Sequence, residues 1–274
     1  MRDALRSSLP PYLRRPLGRA RRAFQFLLKR RRFRVRIAGS HYKLLFPSQA
    51  GSVQSEEIAK EVTQSPPWNV FHYIFPATRA LPFGFIFQST EHLPSREISL
   101  NEAVEFCNKL LMNIPSGCDQ RAALHLIHPK VRLLLEQHQD RPECEWLIRC
   151  LAGFQLPVTG CHADLHQPNI LKLNSGFAII DFETFRTEGS CVEDCIRLVA
   201  TMERKRKRPD NKAKNDILAL FESTALQGIN FKLERLQWSA VYITSQAGCE
   251  FNSKSPDAVL LNLIERTKVA HGLS

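Results

Sequence analysis

The chain has 274 residues, of which 43% are hydrophobic and 24% are charged, with a formal net charge of +11. This composition supports a substantial core and suits one two-lobed unit or two small domains. No apolar run approaches the roughly 18 to 20 residues of a membrane span, and the start of the chain lacks the apolar region and cleavage site of a secretory signal. Eight cysteines without a Cys-x-x-Cys pair argue against a zinc site and indicate a reducing, cytoplasmic compartment.

The positive charge is concentrated at the start of the chain. Residues 1–36 hold thirteen of the 38 Lys and Arg residues and one acid, a net charge of +12, which leaves 25 basic and 26 acidic residues elsewhere. Within residues 13–32 apolar residues recur at helical spacing among arginines, which predicts a basic amphipathic helix lying on an anionic membrane surface. A solvated cap, a targeting sequence and a nucleic-acid arm are alternatives, and the scarcity of interleaved stacking aromatics argues against nucleic acid.

Short β-strands and one helix are predicted after the basic segment. Strands over 33–37 and 42–46 are joined by a hairpin-sized turn, and two more strands are predicted over 69–74 and 82–87. Between them, a helix begins near Ser55, which is predicted to cap it.

The rest of the chain shows mainly helical spacing of apolar residues. A helix with Ser99 as its cap extends to Met112. Such amphipathic stripes are assigned to the core. Further helices are predicted over 131–138, 145–154, 215–226, 233–244 and 256–269.

One stretch combines polar residues in an unusual spacing. Asp164 follows His162 by two residues, Asn169 comes five residues later, and Asp181, twelve residues beyond, follows a short apolar strand. Asp164 is expected in a tight loop, in which Pro168 blocks a helix and biases Gln167 toward an extended conformation. Strands over 170–173 and 177–180 predict a hairpin that carries Asn169 back beside Asp181.

These residue types fit a specific chemistry. Phosphoryl transfer from a nucleotide needs a carboxylate to orient the attacking hydroxyl, and an amide oxygen with a second carboxylate to hold Mg²⁺. Asp164, Asn169 and Asp181 supply one of each. They therefore predict an ATP- and Mg²⁺-dependent kinase with an alcohol group as acceptor, although any one of them alone is typical of an ordinary turn.

The full motif reads His162-x-Asp164-x4-Asn169, then Ile180-Asp181-Phe182-Glu183. This motif resembles the aminoglycoside phosphotransferase and choline kinase-like family, whose members are relatives of the protein kinases. The resemblance implies an α+β, protein-kinase-like two-lobed fold, with a small β-rich N-lobe over 33–93 and a mainly helical C-lobe over 94–274. Residues 1–32 form the separate basic segment.

The resemblance also implies roles for individual residues. The residue at Asp164 would be the catalytic base, with His162 bracing the loop, and those at Asn169 and Asp181 would bind magnesium. Asp194 resembles a later Asp of the family and is expected to support the catalytic loop from beneath. A plain helix N-cap is the alternative for Asp194.

A kinase-like N-lobe needs a strand Lys for the phosphates and a helical Glu that positions it. Lys43 is the candidate Lys, and Glu56 or Glu57 the candidate Glu. Segment 88–93, which includes Glu91, is the candidate hinge, where backbone groups meet the adenine. No glycine-rich loop precedes Lys43, so a solvated strand Lys stays an alternative at that position.

Together these features predict phosphorylation of a hydroxyl on a small molecule or glycan. The basic leading segment, combined with the motif, is similar to what is seen in kinases of lipopolysaccharide core sugars, and it predicts a cytoplasmic protein peripheral to the inner face of the membrane. The alternative is a catalytically silent kinase-like scaffold that binds nucleotide or a partner through its basic arm.

Overall fold

The computed structural model describes residues 32–37, 40–46, 50–82, 85–90, 95–207, 224–251 and 253–272. They form two compact units, one within 1–53 and 76–93, the other within 54–75 and 94–274. The basic segment predicted over 13–32 lies outside the described residues, except for Arg32.

The secondary structure of the described residues is mixed, with strands grouped early and helices later. The strands are β1 (Arg32–Ile37), β2 (Ser40–Leu45), β3 (His72–Ile74), β4 (Ala77–Ala80), β5 (Ile86–Thr90), β6 (Arg96–Glu97), β7 (Gln120–Ala122), β8 (Gln155–Pro157), β9 (Ile170–Leu173) and β10 (Gly176–Ile180). The helices are α1 (Ala50–Val62), α2 (Leu100–Met112), α3 (Ala123–Leu126), α4 (Pro129–Gln137), α5 (Pro142–Ala152), α6 (Cys191–Lys207), α7 (Thr224–Gln227), α8 (Arg235–Glu250) and α9 (Pro256–Gly272).

The first unit is built on an antiparallel four-stranded sheet in the order β1–β2–β5–β4. The two strands predicted first are confirmed as β1 and β2. The strand predicted over 82–87 is displaced, because pairing with β2 extends β5 through the polar residues Gln88, Ser89 and Thr90. Residues 88–90 of the segment predicted as the hinge therefore lie in β5, and the role of that segment stays a prediction. Strand β4 was not predicted.

The second unit contains a mixed sheet in the order β3–β10–β9–β6, in which β3 is parallel to β10. The strand predicted over 69–74 is shortened, because Trp68–Val70 form a 3₁₀ turn. Trp68 is fully buried, and its Nε1–H donates to the carbonyl of Thr159 at 2.8 Å. Phe71 stacks on Phe106 of α2 with a centroid distance of 4.4 Å. These aromatic contacts join the sheet to the helical core.

Most of the predicted helices of the second unit are confirmed, with shifted ends. Helix α1 begins at Ala50, so the prediction that Ser55 caps it is wrong; no proline separates Ala50 from Ser55. Of the helix predicted over 215–226, only its end coincides with α7, and 215–223 lies outside the described residues. No described helix is long and apolar enough to cross a membrane.

The start of α2 is fixed by a capping box. The Oγ of Ser99 accepts from the N–H of Glu102 at 3.3 Å, and a Glu102 carboxylate oxygen accepts from the N–H of Ser99 at 2.9 Å. Arg96 donates to the same carboxylate. The predicted Ser99 cap is confirmed, and it sets the direction of the helix that supplies much of the core.

Replacing Ser99 with alanine should lower the free energy of unfolding by about 1 kcal/mol, because the backbone N–H of Glu102 loses the Ser99 Oγ as its acceptor. Urea unfolding measured by circular dichroism checks this. Asn101→Ala, at an exposed position in the first turn of the same helix, is the matched control. An equal loss in both variants would contradict a specific role for the cap.

Candidate active site

The loop over residues 160–166 carries two of the predicted site residues between β8 and the β9–β10 hairpin. Gly160 and Ala163 have φ values of 73° and 61°, in the left-handed region. A Cβ at Gly160 would lie 2.8 Å from Cζ of Phe185, so this position requires glycine. Ala163 adopts the same region at a steric cost, which the surrounding hydrogen bonds must offset.

Asp194 on α6 supports this loop. Its Oδ2 accepts from the N–H of His162 at 2.7 Å, and its Oδ1 accepts from the N–H of Ala163 at 3.0 Å. Asp194 is buried, and burial raises its pKa to about 7, although the N–H of His162 acts in the opposite direction. The predicted support is confirmed. The N-cap alternative is wrong, because α6 begins at Cys191 and Asp194 lies inside its first turn.

His162 is fully buried and joins the loop to the end of β10. Its Nε2–H donates to the carbonyl of Ile180 at 3.0 Å, and its ring lies 4.6 Å from that of Phe182. Burial lowers the pKa of His162 to about 4, so the ring is neutral at pH 7. Nδ1 has no hydrogen-bond partner among the described residues. This placement fits a brace for the loop, since the buried ring is closed off from solvent.

Asp164 lies at the accessible edge of the loop, with 39% of its side chain exposed. Its carbonyl accepts from the Nδ2 of Asn169 at 3.0 Å and lies 2.7 Å from the Nδ1 of His166. Asn169 ends a 3₁₀ turn over Gln167–Asn169, so the extended conformation predicted there is wrong. Pro168 is tolerated in this turn because the first positions of a helix need no N–H donor.

The predicted hairpin brings Asn169 and Asp181 to neighbouring positions. Ile170 in β9 pairs with Ile179 in β10, so Asn169, just before β9, lies opposite Ile180, just before Asp181. Asp181 has a φ of 67°, in the left-handed region, directly after the strand. The hairpin is confirmed as β9 and β10.

This pair is a suitable donor set for Mg²⁺. The amide nitrogen of Asn169 is used by the carbonyl of Asp164, and its Oδ1 accepts no hydrogen bond among the described residues. Asp181 adds one carboxylate. Within the described ranges no group of three or more His, Cys, Asp or Glu residues can hold a metal. Mg²⁺ needs no such group, since it takes one or two carboxylates with phosphate oxygens and water.

The phosphate and hinge candidates belong to the first unit. Lys43 lies in β2, where it pairs with Gln88 of β5. Its strand position agrees with the prediction, while its role stays a prediction. Glu91 lies outside the described residues.

The two candidate glutamates lie in the middle of α1, because this helix starts earlier than predicted. Glu56 is buried, with 1% exposure. Glu57 is exposed and forms an ion pair with Lys60 at 2.6 Å. The two are thus distinguished by burial, and Glu56 is the better candidate for a buried partner of a cation. The pairing with Lys43 stays a prediction.

Sequence reasoning missed Arg197, which lies against the loop. Its Nη1 donates to the carbonyl of Ala163 at 2.6 Å, and its Nη2 donates to Oδ1 of Asp164. The available signal was its spacing, three residues after Asp194, which places both residues on one helix face.

A family model described as "Phosphotransferase enzyme family" matches residues 117–209, the segment that carries Asp164, Asn169 and Asp181. This segment resembles phosphotransferases. The predicted enzyme class, a phosphotransferase with an alcohol group as acceptor, is confirmed. No curated protein sequence matches the chain significantly.

Several solved structures are similar to this chain in fold. An apo thermostable mutant of aminoglycoside phosphotransferase APH(4)-Ia has a TM-score of 0.50 and 12% identity, covering 89% of this chain and 91% of that chain. The GDP complex of aminoglycoside 2'-phosphotransferase-IIIa has a TM-score of 0.51 and 12% identity, covering 89% and 90%. A GDP and kanamycin complex of APH(2")-IIia has a TM-score of 0.50 and 11% identity, covering 87% and 90%. The predicted α+β, two-lobed kinase-like fold is confirmed.

The buried neutral state of His162 predicts a pH dependence of stability. Because its folded-state pKa is lowered from 6.5 to about 4, only the unfolded state takes up a proton between these values. Wild-type stability should therefore fall by up to about 3 kcal/mol, relative to His162→Gln, as the pH decreases from 6.5 to 4.

Urea unfolding at several pH values measures this difference. His125→Gln, which removes an exposed histidine, is the control. A pH-independent difference between wild type and His162→Gln would contradict the buried neutral state.

Proposed function

We propose that this chain transfers the γ-phosphoryl group of ATP to a hydroxyl group on a small molecule or glycan. The observation that carries the proposal is the convergence of Asp164, Asn169 and Asp181 around one hairpin and its preceding loop. In a loose phosphoryl-transfer transition state, positioning and charge stabilisation supply most of the rate, and these three side chains are suited to both tasks.

Asp164 is the proposed catalytic residue. The acceptor hydroxyl oxygen bonds to the γ-phosphorus as the bond from that phosphorus to the β,γ-bridging oxygen breaks, and the hydroxyl proton passes to the Asp164 carboxylate. The partial exposure of Asp164 lets an acceptor reach it. The buried ring of His162 keeps the loop against β10 while this happens.

Asn169 and Asp181 would hold Mg²⁺, which supplies positive charge to the nucleotide phosphates when bound. Lys43 would contact the phosphates, with Glu56 or Glu57 positioning it, and the hinge segment around Glu91 would meet the adenine. One structural neighbour is a GDP and kanamycin complex, so guanine nucleotides belong in the binding test.

For the acceptor we favour a glycan, including a lipopolysaccharide core sugar, over an aminoglycoside. A polycationic acceptor favours a strongly acidic cleft, and the chain after residue 36 has 25 basic and 26 acidic residues. The excess charge of residues 1–36 supports attachment to an anionic membrane, where glycolipid acceptors are found. A cytoplasmic, membrane-peripheral location follows as part of this proposal.

Nucleotide binding and transfer can be separated by two substitutions. Asp181→Ala should abolish the Mg²⁺-dependent part of ATP binding in calorimetry, since a metal ligand is lost. Asp164→Asn should preserve nucleotide binding and lower the transfer rate about a hundredfold or more, because an amide cannot take the proton. Sugar and glycolipid acceptors, with release of ADP, provide the assay, and GTP is tested beside ATP.

Asp140→Asn, at an exposed position between α4 and α5, is the matched control and should leave binding and transfer unchanged. Transfer at the wild-type rate by Asp164→Asn would overturn the assignment of the base. Absence of nucleotide binding in the wild type would favour the alternative, a catalytically silent scaffold that acts through its basic arm.

Membrane attachment predicts selective binding to anionic vesicles. The full chain should co-sediment with phosphatidylglycerol vesicles and not with phosphatidylcholine vesicles. Changing Arg19, Arg21 and Arg22 to Gln should weaken this binding roughly a hundredfold, at about 1 kcal/mol for each charge. The control variant removes the same number of charges by changing Lys205, Lys232 and Arg235 to Gln. These three residues are exposed in the part of the chain that follows the basic segment. Equal binding to both vesicles would contradict the electrostatic attachment.

A further inference from the structure

Helix α6 presents two charged residues to the loop from one face, one turn apart. Asp194 accepts from the N–H groups of His162 and Ala163, and Arg197 donates its Nη1 to the carbonyl of Ala163 at 2.6 Å. The peptide groups around Ala163 are therefore held by an anion on one side and a cation on the other. Cys249 of α8 adds its Sγ at 3.3 Å from the same carbonyl.

The second amino group of Arg197 reaches beyond the backbone. Its Nη2 donates to Oδ1 of Asp164, while Oδ2 of that carboxylate has no hydrogen-bond partner among the described residues. The Arg197 side chain is 7% exposed and that of Asp164 is 39% exposed, so the pair is closed on the arginine side and open on the aspartate side. A planar guanidinium fork that binds two acceptors fixes their relative orientation as well as their distance.

This arrangement differs from a purely structural ion pair. A buried guanidinium needs acceptors, and main-chain carbonyls or the nearby Asp194 can satisfy that need without using Asp164. Because Arg197 also donates a hydrogen bond to the Asp164 carboxylate, the side chain of Asp164 loses freedom at χ1 and χ2. Because a carboxylate that orients a hydroxyl must be placed within a fraction of an ångström, that loss of freedom favours transfer.

We propose that Arg197 is a positioning residue for phosphoryl transfer, which occupies Oδ1 of Asp164 and thereby leaves Oδ2 to accept the hydrogen bond of the attacking hydroxyl. The inference rests on the proposed function, since it assigns Arg197 a task in that reaction. In this role Arg197 would contact neither the acceptor nor the nucleotide. It acts through the orientation of Asp164.

Hydrolysis of ATP with Mg²⁺ tests this without a known acceptor, because water then takes the place of the hydroxyl. Arg197→Met should lower kcat at least tenfold while leaving the KM for ATP, and the affinity for ATP in calorimetry, within twofold of wild type. Arg197→Lys should recover part of the rate, since an ammonium group reaches one of the two acceptors but cannot bind both as a fork. Lys205→Met, at an exposed position on the same helix, should match the wild type.

A double-substitution cycle distinguishes orientation from general damage. If Arg197 acts through Asp164, Arg197→Met should cost less than twofold in the Asp164→Asn background. A structural role predicts the same fractional loss in both backgrounds, together with a lower ATP affinity. Urea unfolding midpoints of each variant identify any that fail to fold, and Arg197→Lys then carries the test.

The outcomes for the two proposals are separable. A wild-type rate in Arg197→Met, or an equal loss in both backgrounds, overturns the role of Arg197 while the proposed function stands. A wild type that neither binds nor hydrolyses ATP overturns the proposed function, and with it the role of Arg197. A selective loss of kcat that is rescued by lysine and absent from the Asp164→Asn background supports both.

Discussion

The two hydrogen bonds from the backbone of His162 and Ala163 to Asp194 are the constraint on which the site depends. They hold Ala163 in the left-handed region, which an alanine adopts at a cost of about 1–3 kcal/mol unless its surroundings compensate. That conformation turns the chain so that His162 points into the core and Asp164 toward solvent. A buried residue on a neighbouring helix therefore determines where the proposed base lies.

The same end of α6 organises both sides of the loop. Glu193 forms a 2.8 Å ion pair with Arg186, whose backbone N–H and carbonyl pair with Cys161 at the loop entry. Asp194 and Arg197 hold the segment that follows. Glu193, Asp194 and Arg197 of one helix thus contact successive parts of the loop region. Each of these charged side chains has a polar partner, as the burial of charge requires. Loss of α6 packing would disturb the loop even if every residue of the motif stayed in place.

Local pattern predicted the parts of the site that depend on neighbouring residues. The β9–β10 hairpin follows from two short apolar runs on either side of a turn, and the approach of Asn169 to Asp181 follows from the hairpin. The contacts of Arg197 could not be predicted, because they depend on how α6 packs against a loop more than thirty residues earlier in the chain. The extension of β5 through Gln88 has the same origin, since pairing with β2 outweighs the polarity of those residues.

Two residues of the site have left-handed backbones without being glycine, Ala163 and Asp181. Each lies next to a hydrogen bond made by a buried titratable side chain: Asp194 accepts from Ala163, and His162 donates to the carbonyl that precedes Asp181. Evolution toward stability alone would relieve such strain by placing glycine at these positions. Glycine at the second position would also remove a carboxylate, and a more flexible residue at the first would loosen the peptide that carries Asp164. The observed strain, together with the groups that hold it, therefore favours a site in which the positions of two carboxylates matter more than local stability.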